Sequence, residues 1–167
     1  VRDLAVKGGK IMFVGTKKQA QSIVEEEAKR CDMYYVNNRW MGGLLTNFQT
    51  IKKSVTRLKK IEEMSKEDVW NNLTKKEVSL LTKERERLLN DLSGIREMED
   101  WPQAVFIVDP KREEIAVLEA RKLRIPIIAI VDTNCNPEKV EYPIPGNDDA
   151  LKSIRLITSL ITDSVLE

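Results

Sequence analysis

The sequence predicts an α/β fold: a three-layer Rossmann- or flavodoxin-like sandwich around a parallel sheet, carrying an inserted antiparallel helical hairpin. Three observations predict it. Short apolar runs alternate with amphipathic segments of helical period, which implies parallel strands joined by crossovers. The runs are apolar nearly throughout, so helices must cover both faces of the sheet. One central segment breaks the rhythm with the 3, 4, 3, 4 spacing of a coiled-coil seam.

Residues 1–9 read as the last turns of a helix closed by Gly8-Gly9, which suggests a piece of a longer protein. Residues 10–15 (K-I-M-F-V-G) form a buried strand. Residues 17–30 follow as a helix, with Ala20, Ile23, Val24 and Ala28 inward. Residues 33–36 and 104–108 are the second and third strands, the latter ending at Asp109-Pro110. Residues 113–123 form a helix with Ile115, Ala116, Leu118 and Leu123 inward, and residues 125–131 a fourth strand. A long loop covers 132–147, stiffened by the prolines of Y-P-I-P-G (142–146). Asn147 or Asp148 then caps a final helix that buries Leu151, Ile154, Ile157, Leu160 and Ile161.

The insertion covers residues 47–93, and the sandwich is formed by 1–46 and 94–167. Ile51, Val55, Leu58 and Ile61 make one helical stripe on a helix of about eighteen residues, roughly 27 Å long. After a polar turn at 65–72, Thr74-Lys75-Lys76-Glu77 matches a capping box. Val78, Leu81, Arg85, Leu88 and Leu92 form the facing seam, with one charged member. Such narrow stripes bury two helices against each other and leave little for the sheet, so the hairpin is expected to project. Gly94 ends it.

The chain of 167 residues suits one domain with an insertion. It has no run of about eighteen apolar residues and no signal-peptide pattern. Its two cysteines, Cys31 and Cys135, suit reduced thiols rather than a disulfide framework. It has no histidine, which removes Ser-His-Asp and Cys-His catalysis and most zinc-enzyme sites. The net charge of +1 decides nothing, but its distribution does. Residues 1–61 carry a balance of +8 and residues 62–167 a balance of −7. From Met33 to Ile61 there is no acid, while Arg39, Lys52, Lys53, Arg57, Lys59 and Lys60 are basic. A one-signed segment attracts phosphate, whereas a solvated helix face usually mixes signs.

The elbow between the second strand and the basic helix is N-R-W-M-G-G-L-L-T-N-F (38–48). Arg39 can grip phosphate with two parallel hydrogen bonds, and Trp40 offers a flat face for a base. Gly42 and Gly43 allow close backbone approach or positive φ. The alternative is a tight structural turn with Trp40 in the core. At Gly15-Thr16-Lys17-Lys18 a strand turns into a helix, but the glycine spacing of nucleotide loops is missing. A phosphate contact through Lys17 or Lys18 is favoured there over a nucleotide. Asp109, Asp132, Asp148 and Asp149 fall at strand ends or at the last helix start. They could hold Mg²⁺ or act in acid–base chemistry; capping by Asp148 and turn formation at Asp132 are the favoured roles.

Several blocks resemble the bacterial-type small-subunit ribosomal protein two family, in family order. They are V-G-T-K-K-Q-A-Q (14–21), N-N-R-W-M-G-G-L-L-T-N-F-Q-T-I (37–51), G-I-R-E-M (94–98), V-D-T-N-C-N-P (131–137) and Y-P-I-P-G-N-D-D-A (142–150) followed by S-I-R-L-I-T (153–158). Pro102, Val105 to Ile107, Asp109, Glu113, Val117, Glu119 and Ile125-Pro126 extend the match. The resemblance implies a structural constituent of the small subunit that supports translation. It implies binding to small-subunit rRNA and to neighbouring small-subunit proteins, protein one included, on a cytoplasmic or organellar ribosome. No cofactor, metal, membrane or small-molecule substrate is implied. Relative to the family, the N-terminal helix and basic hairpin are absent, and Arg124 stands where glycine is common.

Two functions follow. The first is an RNA-binding ribosomal component, with no catalytic residues. Charge and position place Lys17, Lys18, Arg39, Lys52, Lys53 and Arg57 on RNA phosphates, with Trp40 and Asn47 shaping the loop. The second is a Mg²⁺-dependent α/β enzyme or receiver-like domain using Asp109, Asp132 and Asp148. It leaves the basic segment unexplained.

Overall fold

A computed structural model describes residues 1–66, 70 and 73–167. The elements run α1 (Arg2–Val6), β1 (Ile11–Val14), α2 (Gln21–Arg30), β2 (Tyr34–Val36), α3 (Phe48–Lys66), α4 (Lys75–Leu92), β3 (Ala104–Val108), α5 (Glu114–Lys122), β4 (Ile127–Val131), β5 (Tyr142–Pro145) and α6 (Leu151–Leu166). The five strands form one all-parallel sheet in the order β2-β1-β3-β4-β5. This is the flavodoxin-like arrangement, and its switch point lies between β1 and β3.

Alternation along the strands builds the two outer layers. Ile11 and Phe13 of β1, Ala104, Phe106 and Val108 of β3, and Ile128 and Ile130 of β4 face one side. There they meet Ile23, Val24 and Ala28 of α2 and Ile154 of α6. Phe13 and Phe106 pack edge to face, with ring centroids 5.5 Å apart. Met12, Val14, Val105, Ile107, Ile127 and Ala129 face the other side and pack with α5 and the α3–α4 pair. The three predicted layers are therefore present, and the four predicted strands lie where the apolar runs placed them.

The fifth strand corrects the expected loop at 132–147. Pro143 and Pro145 break an ordinary strand pattern, yet an edge strand tolerates proline on its outward positions. Gly146 N–H donates to the Val131 carbonyl at 3.2 Å, so even-numbered residues face β4 and both prolines face away.

Two helix faces also differ from expectation. In α5 the buried residues are Ala116, Val117, Glu119 and Ala120, while Ile115 and Leu118 lie more than half exposed. Small side chains at 116 and 120 let the helix approach the sheet, which turns the larger ones outward. In α6 the buried line is Ile154, Thr158 and Thr162, with Leu151 and Leu160 exposed. The threonine hydroxyls donate to the Ile154 and Thr158 carbonyls at 2.7 and 3.1 Å, so they enter the core with their hydrogen bonds made.

Helices α3 and α4 pack against each other. The capping box forms as predicted: Thr74 accepts from Glu77 N–H, and Glu77 accepts from Thr74 N–H at 2.9 Å. The expected turn at 65–72 lies largely outside the described residues. Along the α4 seam, Val78, Leu81 and Arg85 are half-buried, and Leu88 and Leu92 are buried. Ile51, Leu58 and Ile61 of α3 belong to the same buried cluster as Met12, Val14 and Val105 of the sheet. Gly94 sits in a 3₁₀ turn (Ser93–Ile95) against β2, where an added Cβ would lie 2.1 Å from the Tyr35 carbonyl oxygen.

Arg124, at the position noted for glycine, takes φ +57. The left-handed conformation that glycine adopts freely is imposed here on an arginine.

Candidate nucleic-acid interface

The elbow folds around one buried carboxylate. Glu119 of α5 accepts five hydrogen bonds from it. Trp40 Nε1 and Gly43 N–H reach Oε1 at 3.1 and 2.7 Å. Leu45 N–H, Thr46 N–H and Thr46 Oγ1 each reach Oε2 at 3.0 Å. Burial opposes ionisation of Glu119, but the Thr46 amide, the Trp40 indole and the Gly43 and Leu45 amides outweigh it. Its carboxyl is therefore held below the usual glutamate range. Gly43 takes φ +86, which lets successive amides converge on the carboxylate.

This geometry revises the expected ligand contacts. The elbow's amides do grip an anion, but the anion is the protein's own Glu119. Trp40 is buried among Leu44, Leu45 and Ile51, so its face is closed to bases and its role is to shape the loop. Asn47 is exposed; its Oδ1 accepts from Thr50 Oγ1 at 3.0 Å, and its amide N–H donates to the Gly43 carbonyl. Sequence reading placed Glu119 in the family pattern but gave it no part in the elbow. The available signal was Glu119 itself, an acid lying between the inward-facing Ala116 and Ala120 of α5.

The predicted cations divide into two groups. Lys18, Arg39 and Lys53 are exposed, and among the described residues none lies within salt-bridge distance of an acid. Arg39 lines a shallow hollow with Arg112, whose Nε donates to Thr16 Oγ1 at 3.2 Å. Arg112 is exposed beside the elbow and was not singled out by sequence. Lys52 Nζ lies 4.8 Å from the Phe48 ring centroid, a cation–π contact that holds it along the first turn of α3. Arg57 forms a two-pronged pair with Glu84 of α4, both bonds at 3.0 Å. Lys59 lies 3.4 Å from Glu97. The acid-free stretch of sequence thus meets acids from distant segments, and its field is weaker than the sequence suggested.

Lys17 is corrected most clearly. It sits at the switch point with its side chain only 13 % exposed. Its Nζ lies 3.2 Å from Asp109, 2.8 Å from Asp148 and 2.6 Å from Asp149. Burial disfavours the ammonium, but hydrogen bonds to Asp148, Asp149 and Asp109 outweigh it and hold Lys17 above the ordinary lysine range. Its charge is matched by carboxylates of the protein itself rather than left free for a phosphate. Asp148 is fully buried and does not cap α6. Asn147 Oδ1 instead accepts from Asp149 and Ala150 N–H at 2.8 and 2.9 Å, just ahead of the helix. Asp132 makes the predicted turn by accepting from Thr133 N–H at 2.6 Å. Burial pushes Glu113 upward even though Thr16 donates to it from both N–H and Oγ1.

Among the described residues, no helix is long and apolar enough to cross a membrane. The elbow keeps Arg39 exposed with its scaffolding residues Trp40, Leu44 and Leu45 inside, while Lys18 is exposed on the segment before α2 and Lys53 in α3. The elbow lies within the block 37–51 that resembles a ribosomal family, and Glu119, which holds it, belongs to the same pattern. A family model described as ribosomal protein S2 matches residues 1–167, and the chain belongs to the ribosomal protein S2 family.

Proposed function

We propose that this chain is a non-enzymatic structural constituent of the small ribosomal subunit, binding rRNA phosphates through the cations exposed around its elbow. Family membership over 1–167 supports a role in the small subunit and in translation. The observation that carries the RNA reading is the division of labour at the elbow. Glu119 consumes the loop's amides and the Trp40 indole, which fixes the loop's shape while Arg39 stays exposed. A rigid loop loses little conformational entropy when its guanidinium meets a phosphate.

In this mechanism Arg39 makes a two-pronged phosphate contact. Lys53 and Lys18 act as point charges, and Lys52 adds its charge from over the Phe48 ring. Asn47 offers its exposed side-chain N–H₂. Arg57 reaches RNA only by leaving Glu84. Recognition is by backbone and shape rather than base edges. In this reading residues 47–93, which include the α3–α4 pair, serve as an arm whose Ile51, Leu58, Ile61, Leu88 and Leu92 join the buried core cluster. Neighbouring small-subunit proteins, protein one among them, bind surfaces that the RNA leaves free.

The test is retention on ribosomes. The chain should co-sediment with small subunits and stay attached through a moderate-salt wash. The Arg39→Ala/Lys53→Ala double variant should wash off at lower salt. Wild-type chain released as easily as an unrelated protein would overturn the proposal.

A further inference from the structure

The switch point holds a feature that RNA binding does not use. Asp148 is 0 % exposed, yet only one of its carboxylate oxygens is engaged. Oδ1 accepts from Lys17 Nζ at 2.8 Å, while Oδ2 is buried and has no hydrogen-bond partner among the described residues. A buried carboxylate oxygen left alone is costly. One ligand atom from each of Asp109, Cys135 and Asp148 lies within 4.8 Å of the others. Cys135 Sγ is 4.0 Å from Asp109 Oδ1, on the opposite oxygen from the one that Lys17 holds.

We propose that Asp109, Asp148 and Cys135 form a divalent-cation site, with Zn²⁺ the preferred ion, at the carboxyl ends of the strands. Lys17 holds the far oxygens of the same two carboxylates. Charge supports this. Asp109, Asp148 and Asp149 contribute three negative charges, and Lys17 is the one cation within salt-bridge distance of them among the described residues. With Cys135 as the thiolate the deficit is three, of which a divalent ion removes two. The alternative is a proton on Asp148 Oδ2, but that would place a buried O–H with nothing to donate to. A thiolate beside two carboxylates favours zinc over magnesium, which takes oxygen ligands and keeps its waters. Zinc bonds of about 2.0–2.3 Å need ligand atoms roughly 3.3–3.7 Å apart, so closure requires an inward shift of about 1 Å. Cys135 sits in the loop after β4, where such a shift is available. The ion would tie that loop to β3 and to the segment before α6, three parts of the chain that no covalent link joins. Its role is structural, and the proposal stands independently of the RNA reading.

The test uses the full chain, stripped with a chelator and titrated with Co²⁺ as a coloured substitute for Zn²⁺. The expected result is one equivalent bound, with a sulfur-to-cobalt charge-transfer band. The band should be lost in Cys135→Ser and kept in Cys31→Ser. In competition with a chromogenic chelator, Zn²⁺ affinity should fall about tenfold or more in Cys135→Ser and in Asp148→Asn. Zn²⁺ should raise the thermal midpoint of the wild type, and that of Cys135→Ser by much less. Circular dichroism of the stripped Cys135→Ser chain should match that of the stripped wild type, since the side chains are nearly isosteric. Absence of saturable binding by the wild type would overturn the site. So would a charge-transfer band that survives in Cys135→Ser.

Discussion

Replacing Glu119 with glutamine tests how the elbow is held. Glutamine keeps the size but offers one acceptor oxygen in place of two and presents an N–H₂ where the loop presents donors. If its oxygen takes the Leu45 and Thr46 side, the Trp40 indole and the Gly43 amide face a donor and lose their partners. Each buried donor left alone costs about 1–3 kcal/mol, and the three surviving bonds lose their charge assistance. A total of about 3–4 kcal/mol follows. For a chain of this size that lowers Tm by roughly 10 °C. The assay is thermal unfolding by circular dichroism at several pH values. Because the folded-state carboxyl is held low, its contribution is fully present above the unfolded glutamate pKa, about 4.3, and is lost as pH falls through the folded value. The gap between wild type and Glu119→Gln should therefore be constant from pH 8 to about pH 5 and close below that. A Tm change under about 2 °C at pH 7, or a gap that widens on acidification, would refute the reasoning.

Four further outcomes follow from the packing. Gly94→Ala places a Cβ 2.1 Å from the Tyr35 carbonyl oxygen and 2.5 Å from Tyr35 Cγ, so it should cost about 3 kcal/mol, seen as a lower urea midpoint. Lys17→Met leaves buried Asp148 beside Asp109 without their cation and should cost about 3–5 kcal/mol at neutral pH. Lys18→Met should change stability by no more than about 0.5 kcal/mol. Arg124→Gly relieves the left-handed backbone at φ +57 and should stabilise by up to about 1 kcal/mol after the extra unfolded-state freedom is subtracted. Equilibrium denaturation reads all of these.

Much of the fold could be read from local patterns, because a strand or an amphipathic helix announces itself within a few residues. The unbroken apolar run at 104–108 and the seam from Val78 to Leu92 are of this kind, and so is the capping box at Thr74. The site was harder because its defining contacts are remote in sequence. Glu119 meets its elbow partners across 73 to 79 residues, and Lys17 meets Asp109 and Asp148 across 92 and 131. A lysine after a strand has the same local sequence whether it faces a phosphate or two buried aspartates. Edge strand β5 was hidden for another reason: its prolines matter only on the side facing the neighbour, and the neighbour is unknown until the sheet is assembled. The outward Leu151 and Leu160 of α6 show the converse error, since apolar character alone made them look buried while Thr158 took the core position.

The account centres on exposed cations held out by an internally satisfied elbow, and the salt dependence of binding tests it most directly. Affinity for a small-subunit rRNA fragment would be measured across a salt series for wild type, Arg39→Ala/Lys53→Ala and Trp40→Phe. Two lost phosphate contacts should lower the log–log slope by about 1.5–2 in the double variant. Trp40→Phe removes only the indole's bond to Glu119 and should leave the slope as it was. A double variant with the wild-type slope would contradict the account.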